Sequence, residues 1–191
     1  ASYPTFNTPE ILAQDLKELG IDVVSTANNH SLDTGYKGIE STIDYLDEAG
    51  ILHTGTYKSV EDQENIVIKE VNGLKFAFLA YTYGTNGIPV PSGREYCINL
   101  IDKELIKRHL DLAKNLKPDV ICVNMHWGIE YQNSPNVEQE ELANFLFENG
   151  VDIILGSHPH VLQKMESKEI LLSNGELKNG ASYLALKTGA S

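Results

Sequence analysis

Four of the six histidines stand directly beyond short apolar runs. His30 follows IDVVSTA, within Asn28-Asn29-His30-Ser31. His126 follows VICVNM, and His158 and His160 follow VDIIL, within Gly156-Ser157-His158-Pro159-His160. Neutral imidazole suits Zn, Fe, Ni or Cu, and Mn joins where carboxylates contribute. Two histidines two apart, stiffened by Pro159, can serve two adjacent ions, or one ion and a substrate. Two bridged metals are a common device for phosphoester hydrolysis: one polarises the phosphoryl oxygen while a bridging hydroxide attacks in line.

A single histidine at a strand end is more often a hydrogen-bonded turn residue. Asn28-Asn29 is likewise a good turn former. The recurrence after three similar runs is what turns make hard to explain, and it predicts one shared site containing Asn29, His30, His126, His158 and His160. Asp33 and Glu130 lie shortly beyond His30 and His126. They either orient the imidazoles or are solvated loop carboxylates. Asn28, Trp127 and Tyr131 are further candidates for contacts around the site, although both aromatics could instead pack under the loop. His53 is read as peripheral, following a short strand, and His109 as a surface residue in mid-helix.

The elements that must position these residues repeat one plan. Residues 10–19, 102–116 and 138–148 have helical apolar spacing and are each closed by a Gly or Pro signal. Strands follow at Ile21–Ala27, Val120–Met125 and Val151–Leu155. These are nearly continuous apolar runs, as expected of strands covered on both faces. A further helix is predicted over Lys37–Ala49, ended by Gly50. Residues 65–81 read as a hairpin turning at Asn72-Gly73. Residues 84–95 read as a surface loop. The tail after Lys164, with Asn174-Gly175 and Asn179-Gly180, is either a hairpin or irregular. Alternating helices and strands indicate an α/β class, in which ligands bind beyond the carboxyl ends of the strands.

The 191 residues are enough for one domain with a core. A formal charge of −12, from 27 acidic against 15 basic residues, repels phosphate backbones, so no nucleic-acid partner is expected. An anionic substrate stays compatible, because a bound metal inverts the local potential. Cys97 and Cys122 have no CxxC spacing and offer neither a disulfide framework nor a thiolate zinc site. Cys122 reads as a buried strand residue. No signal or transmembrane segment is visible in the sequence.

The blocks ANNHSLDTG, HWGIEY and GSHPHVLQ, in this order and spacing, resemble the poly-γ-glutamate capsule biosynthesis (CapA/PgsA-type) proteins, a branch of the calcineurin-like metallophosphatases. The resemblance spans about residues 3 to 165. It implies an α/β/β/α sandwich. It also implies a metal site with Asn29, His126, His158 and His160 as ligands and His30 as proton donor or phosphoryl-oxygen contact. Divalent Mn, Zn or Fe is the implied cofactor.

The Gly-Asp strand and second acidic motif with which the family begins are not found in residues 1–20. Asp15 and Asp22 fall in a helix and at a strand start. The expectation is therefore a single partial domain over 1–191, short of its N-terminal strand, with one ion rather than two. Two functions follow from the resemblance. One is a metal-dependent hydrolase of phosphoester or related bonds. The alternative is a non-catalytic surface protein assisting synthesis or export of an anionic polymer such as poly-γ-glutamate, alongside other capsule-synthesis membrane proteins. The family also implies a cell-surface or membrane-associated location.

Overall fold

The computed structural model describes residues 3–171 and 177–183, with side chains through residue 167. The chain divides into two compact units.

The first unit holds residues 1–67 and 80–101. It opens with helix α1 (Ile11–Glu18), strand β1 (Val23–Ser25), helix α2 (Gly35–Ala49), strand β2 (Leu52–Thr54) and the short helix α3 (Val60–Glu64). β1 and β2 form a two-stranded parallel sheet, with Val23 opposite Leu52 and Ser25 opposite Thr54. The predicted first strand is thus shortened to three residues, and Asn28 begins a turn clear of its end. α2 stops at Gly50, whose φ of 67° is left-handed, where glycine escapes the Cβ penalty. The next residue, Ile51, donates its N–H to the Leu46 carbonyl and is buried with Leu46 and Ala13. A second cluster joins Leu32, Ile39 and Ile43 of the loop and α2 to Cys97 and Ile98. The base of the Asn-His loop is therefore fixed by packing.

The second unit holds residues 68–79 and 102–191. The remaining elements are strands β3 (Val67–Val71) and β4 (Leu74–Thr82), helix α4 (Lys103–Asn115), strand β5 (Val120–His126), helix α5 (Val137–Glu148) and strands β6 (Ile153–Ser157), β7 (Met165–Leu171) and β8 (Leu177–Tyr183). Asn72 and Gly73 both adopt positive φ, the conformation a two-residue hairpin turn requires. The six strands are ordered β3-β4-β5-β6-β8-β7.

β5 and β6 are parallel neighbours, with Cys122 opposite Ile153 and His126 opposite Ser157. β8 runs parallel to β6 and antiparallel to β7, so the tail does pair as strands. Asn179-Gly180 lies within β8, and Asn174-Gly175 lies outside the described residues. The core holds Val123, Met125, Leu146, Phe147 and Ile154, each at most 1% exposed. α4 begins with the Asp102 side chain accepting the Leu105 N–H, and α5 with a full capping box between Asn136 and Gln139.

Two expectations are revised. His109 is fully buried on the inner face of α4 with Ile106, Leu110 and Ala113 rather than at the surface. His53 lies inside β2, not beyond a strand, with Nε2 3.4 Å from Asp47. Of the three histidine-bearing strands, β1 pairs with β2 in a separate sheet, whereas β5 and β6 adjoin. Cys97 and Cys122 are free and buried, as read for Cys122.

Candidate metal centre

Within the first unit, the turn after β1 gathers a polar cluster. Ser31 anchors it: its hydroxyl donates to the carbonyl of Thr26 at 2.7 Å and accepts the Asn28 N–H at 2.9 Å. The Asn28 carboxamide oxygen accepts the His30 N–H at 2.8 Å, so Asn28 does the work of a turn former. Asn29 is 7% exposed, and its Nδ2 donates to Asn86 Oδ1 at 3.0 Å. His30 Nδ1 lies 2.8 Å from Asp33 Oδ2, and the ring of Phe6 meets the imidazole edge-on at 4.6 Å between centroids. Asp33 thus lies within hydrogen-bond distance of the imidazole three residues before it. Asn86 and Phe6 had not been singled out. The left-handed Asn86-Gly87 turn marks the loop, but nothing in its spacing points to His30.

Within the second unit, the parallel register carries His126 to the end of β5 and Ser157 to the matching end of β6. The His126 Nδ1 and Ser157 Oγ are 2.9 Å apart. His158 follows at once, 5% exposed, with its ring centroid 4.9 Å from that of His126 and 6.0 Å from that of His160. The loop after β5 returns to this turn. Trp127 donates its N–H to the Ser157 carbonyl at 3.1 Å, and Tyr131 donates to the Pro159 carbonyl at 2.7 Å.

Trp127 is buried under the loop at 3% exposure, whereas Tyr131 is 72% exposed with its ring stacked near His160. Glu130 Oε1 lies 3.7 Å from His160 Nε2. Gly128 has a φ of 82°, and a Cβ there would meet Gln139 Oε1 at 2.7 Å, so this loop needs glycine for its backbone and for its close packing. Tyr131, His158 and His160 are held at left-handed φ values of 63°, 98° and 57°. Non-glycine residues accept such backbones where the surroundings impose them.

Glu130, His158 and His160 each offer a ligand atom, all within 4.8 Å of one another. Two imidazoles and a carboxylate are the donor mix that Zn, Fe and Mn accept. A common ion draws donors closer than this, by small rotations of side chains of which two are exposed. The set therefore fits a divalent ion. Glu130 stands here as a potential ligand, whereas its sequence position suggests either an orienting partner of an imidazole or a solvated loop carboxylate.

The fold is shared with solved nucleotidase structures. The Haemophilus influenzae NAD nucleotidase structure superposes with a TM-score of 0.54 at 16% identity, over 91% of this chain and 32% of that one. At sequence level, residues 1–177 match the model of the family described as bacterial capsule synthesis protein PGA_cap, and the chain belongs to that family.

It is 36% identical over 154 residues to the capsule biosynthesis protein CapA of Bacillus anthracis, covering 79% of this chain and 38% of that protein. It is 33% identical over 162 residues to the PGA biosynthesis protein CapA of Bacillus subtilis, covering 79% of this chain and 40% of that protein. The chain thus spans about two fifths of the length of these curated relatives. No helix among the described residues is long and apolar enough to cross a membrane.

Proposed function

We propose that this chain carries a divalent-metal centre that serves hydrolysis of a phosphoester or related bond in the making of a bacterial capsule polymer. The observation that carries the reading is the convergence of Glu130, His158 and His160 within 4.8 Å. Membership of the capsule synthesis family and the nucleotidase fold support it.

When bound, the metal would supply Lewis acidity and a water of lowered pKa. The residues of the second unit would do the holding. His158 is buried and its backbone fixed, His160 and Glu130 approach from the exposed side, and His126 is oriented by Ser157. Tyr131 beside His160 would line the approach of substrate. The resemblance assigns Asn29 an amide oxygen for a metal and His30 a proton donor, and both assignments belong to the proposal. So do the cell-surface location and the poly-γ-glutamate connection that the resemblance implies, beside the PGA biosynthesis named for the Bacillus subtilis relative.

The test is elemental analysis of the purified protein, followed by aryl phosphate hydrolysis with added Mn, Zn or Fe. Bound metal and turnover are expected in the wild type. His158→Ala should lose metal affinity by more than the roughly 10- to 100-fold that loss of an outer partner costs. Metal retained without turnover on any phosphoester would leave the non-catalytic role in polymer synthesis. A wild type that binds no metal would remove the proposal.

A further inference from the structure

We infer that Gln163 is a positioning residue of the metal centre, a latch holding the loop that carries Glu130 and Tyr131 against the turn that carries His158 and His160. The inference rests on the metal-centre reading above. Glu130 and the two histidines belong to different loops. The parallel pairing of β5 and β6 aligns the strands only as far as His126 and Ser157, and beyond that point the sheet imposes nothing. Something else must set the separation of Glu130 from His160.

The bonds that cross between the loops supply it. Two are backbone bonds, Trp127 to Ser157 and Tyr131 to Pro159. Further bonds converge on one side chain. Gln163 Oε1 accepts from Gln139 Nε2 at 2.9 Å, and Gln163 Nε2 donates to the carbonyls of Gln132 at 2.8 Å and Ser134 at 3.2 Å.

The anchor of this latch is rigid. Gln139 is 1% exposed, and its Oε1 is taken by the Asn136 N–H in the capping box of α5. Its only remaining polar end is the Nε2 that faces Gln163, so Gln163 must present an oxygen to the helix. Its own Nε2 is then directed at the loop carbonyls. A carboxylate at position 163 could satisfy the helix but would oppose two carbonyl oxygens. A hydrocarbon would satisfy neither. An amide of this length is the group that joins both sides.

The experiment compares wild type with Gln163→Met, which keeps the length and shape of the side chain, and with Gln163→Glu. Zn and Mn affinities are measured by chelator competition, the ligand field by the visible spectrum of the Co-loaded protein, and amide exchange on the metal-free protein. Gln163→Met should weaken metal binding roughly 10- to 100-fold, in the range of orienting partners of metal ligands. It should also alter the Co spectrum and speed exchange of the Tyr131 N–H, while β5 and β6 stay protected. Gln163→Glu should do at least as much.

Affinity within twofold of wild type, or an equally protected Tyr131 amide, would overturn the inference. So would general loss of protection in β5 and β6, which would make Gln163 a plain stability residue. A wild type without metal affinity would sink the metal centre itself, and the exchange measurement would still judge the latch on its own.

Discussion

At the scale of single residues, Asp33 shows how much one carboxylate organises. Its side chain is 3% exposed, and its Oδ2 both meets His30 Nδ1 and accepts the Phe6 N–H at 2.8 Å. Asp33→Ala removes the acceptor from both. The expected cost is about 0.5–1.5 kcal/mol, the net worth of a hydrogen bond whose donors water can reach once the acceptor is gone, with Asp33→Asn costing less because one oxygen remains. Urea unfolding of the two variants against wild type would measure this.

The His30–Asp33 pair was legible in the sequence because the two residues share one turn. Asn86 and Gln163 were not, because their contacts with Asn29 and with the 127–136 loop depend on tertiary paths that local spacing does not encode. Ser157 is intermediate. Its place beside the histidine pair is plain in the sequence, but its bond to His126 appears only once the β5–β6 register is known.

At the scale of elements, α4 gives the sharpest expectation. His109 lies within its apolar stripe, and burial, with a smaller contribution from the Arg108 charge, lowers its pKa from the ordinary 6.5 to about 4. The folded protein therefore resists a proton that the unfolded chain accepts. This contribution to stability is complete above pH 6.5 and is lost as pH falls from 6.5 towards 4, with no further loss below. The shift corresponds to a swing on the order of 3 kcal/mol. His109→Leu should flatten the acid limb of stability by close to one proton over that interval, as read from urea midpoints at a series of pH values.

The spacing of Ile106, His109, Leu110 and Ala113 puts His109 on the inner face of the helix. The longer helices and the Asn72-Gly73 hairpin were legible from periodicity and turn chemistry. α3 was not read, since five residues are too short to display a period, and the short strand before His53 proves to include it. The separation of β1 from β5 and β6 had no local signal either, because strand partners are chosen by the whole fold.

At the scale of the whole molecule, a net charge of −12 should draw divalent cations towards a histidine and carboxylate centre. Binding to the folded form alone raises stability by RT ln(1 + [L]/Kd), about 2.7 kcal/mol at a hundredfold excess over Kd. Thermal melts with increasing Zn or Mn should therefore show a rising Tm. The rise should be smaller at high ionic strength, where the acidic field is screened, and absent in His158→Ala.

The three left-handed backbones at Tyr131, His158 and His160 carry a consequence for how this protein can change. Each is a place where a side chain is kept although glycine or asparagine would sit there at lower cost. Under drift that rewards heat resistance alone, these positions would be among the first to yield, and the two loops would lose their chemistry while growing sturdier. Durability and the presence of side chains at this rim pull in opposite directions.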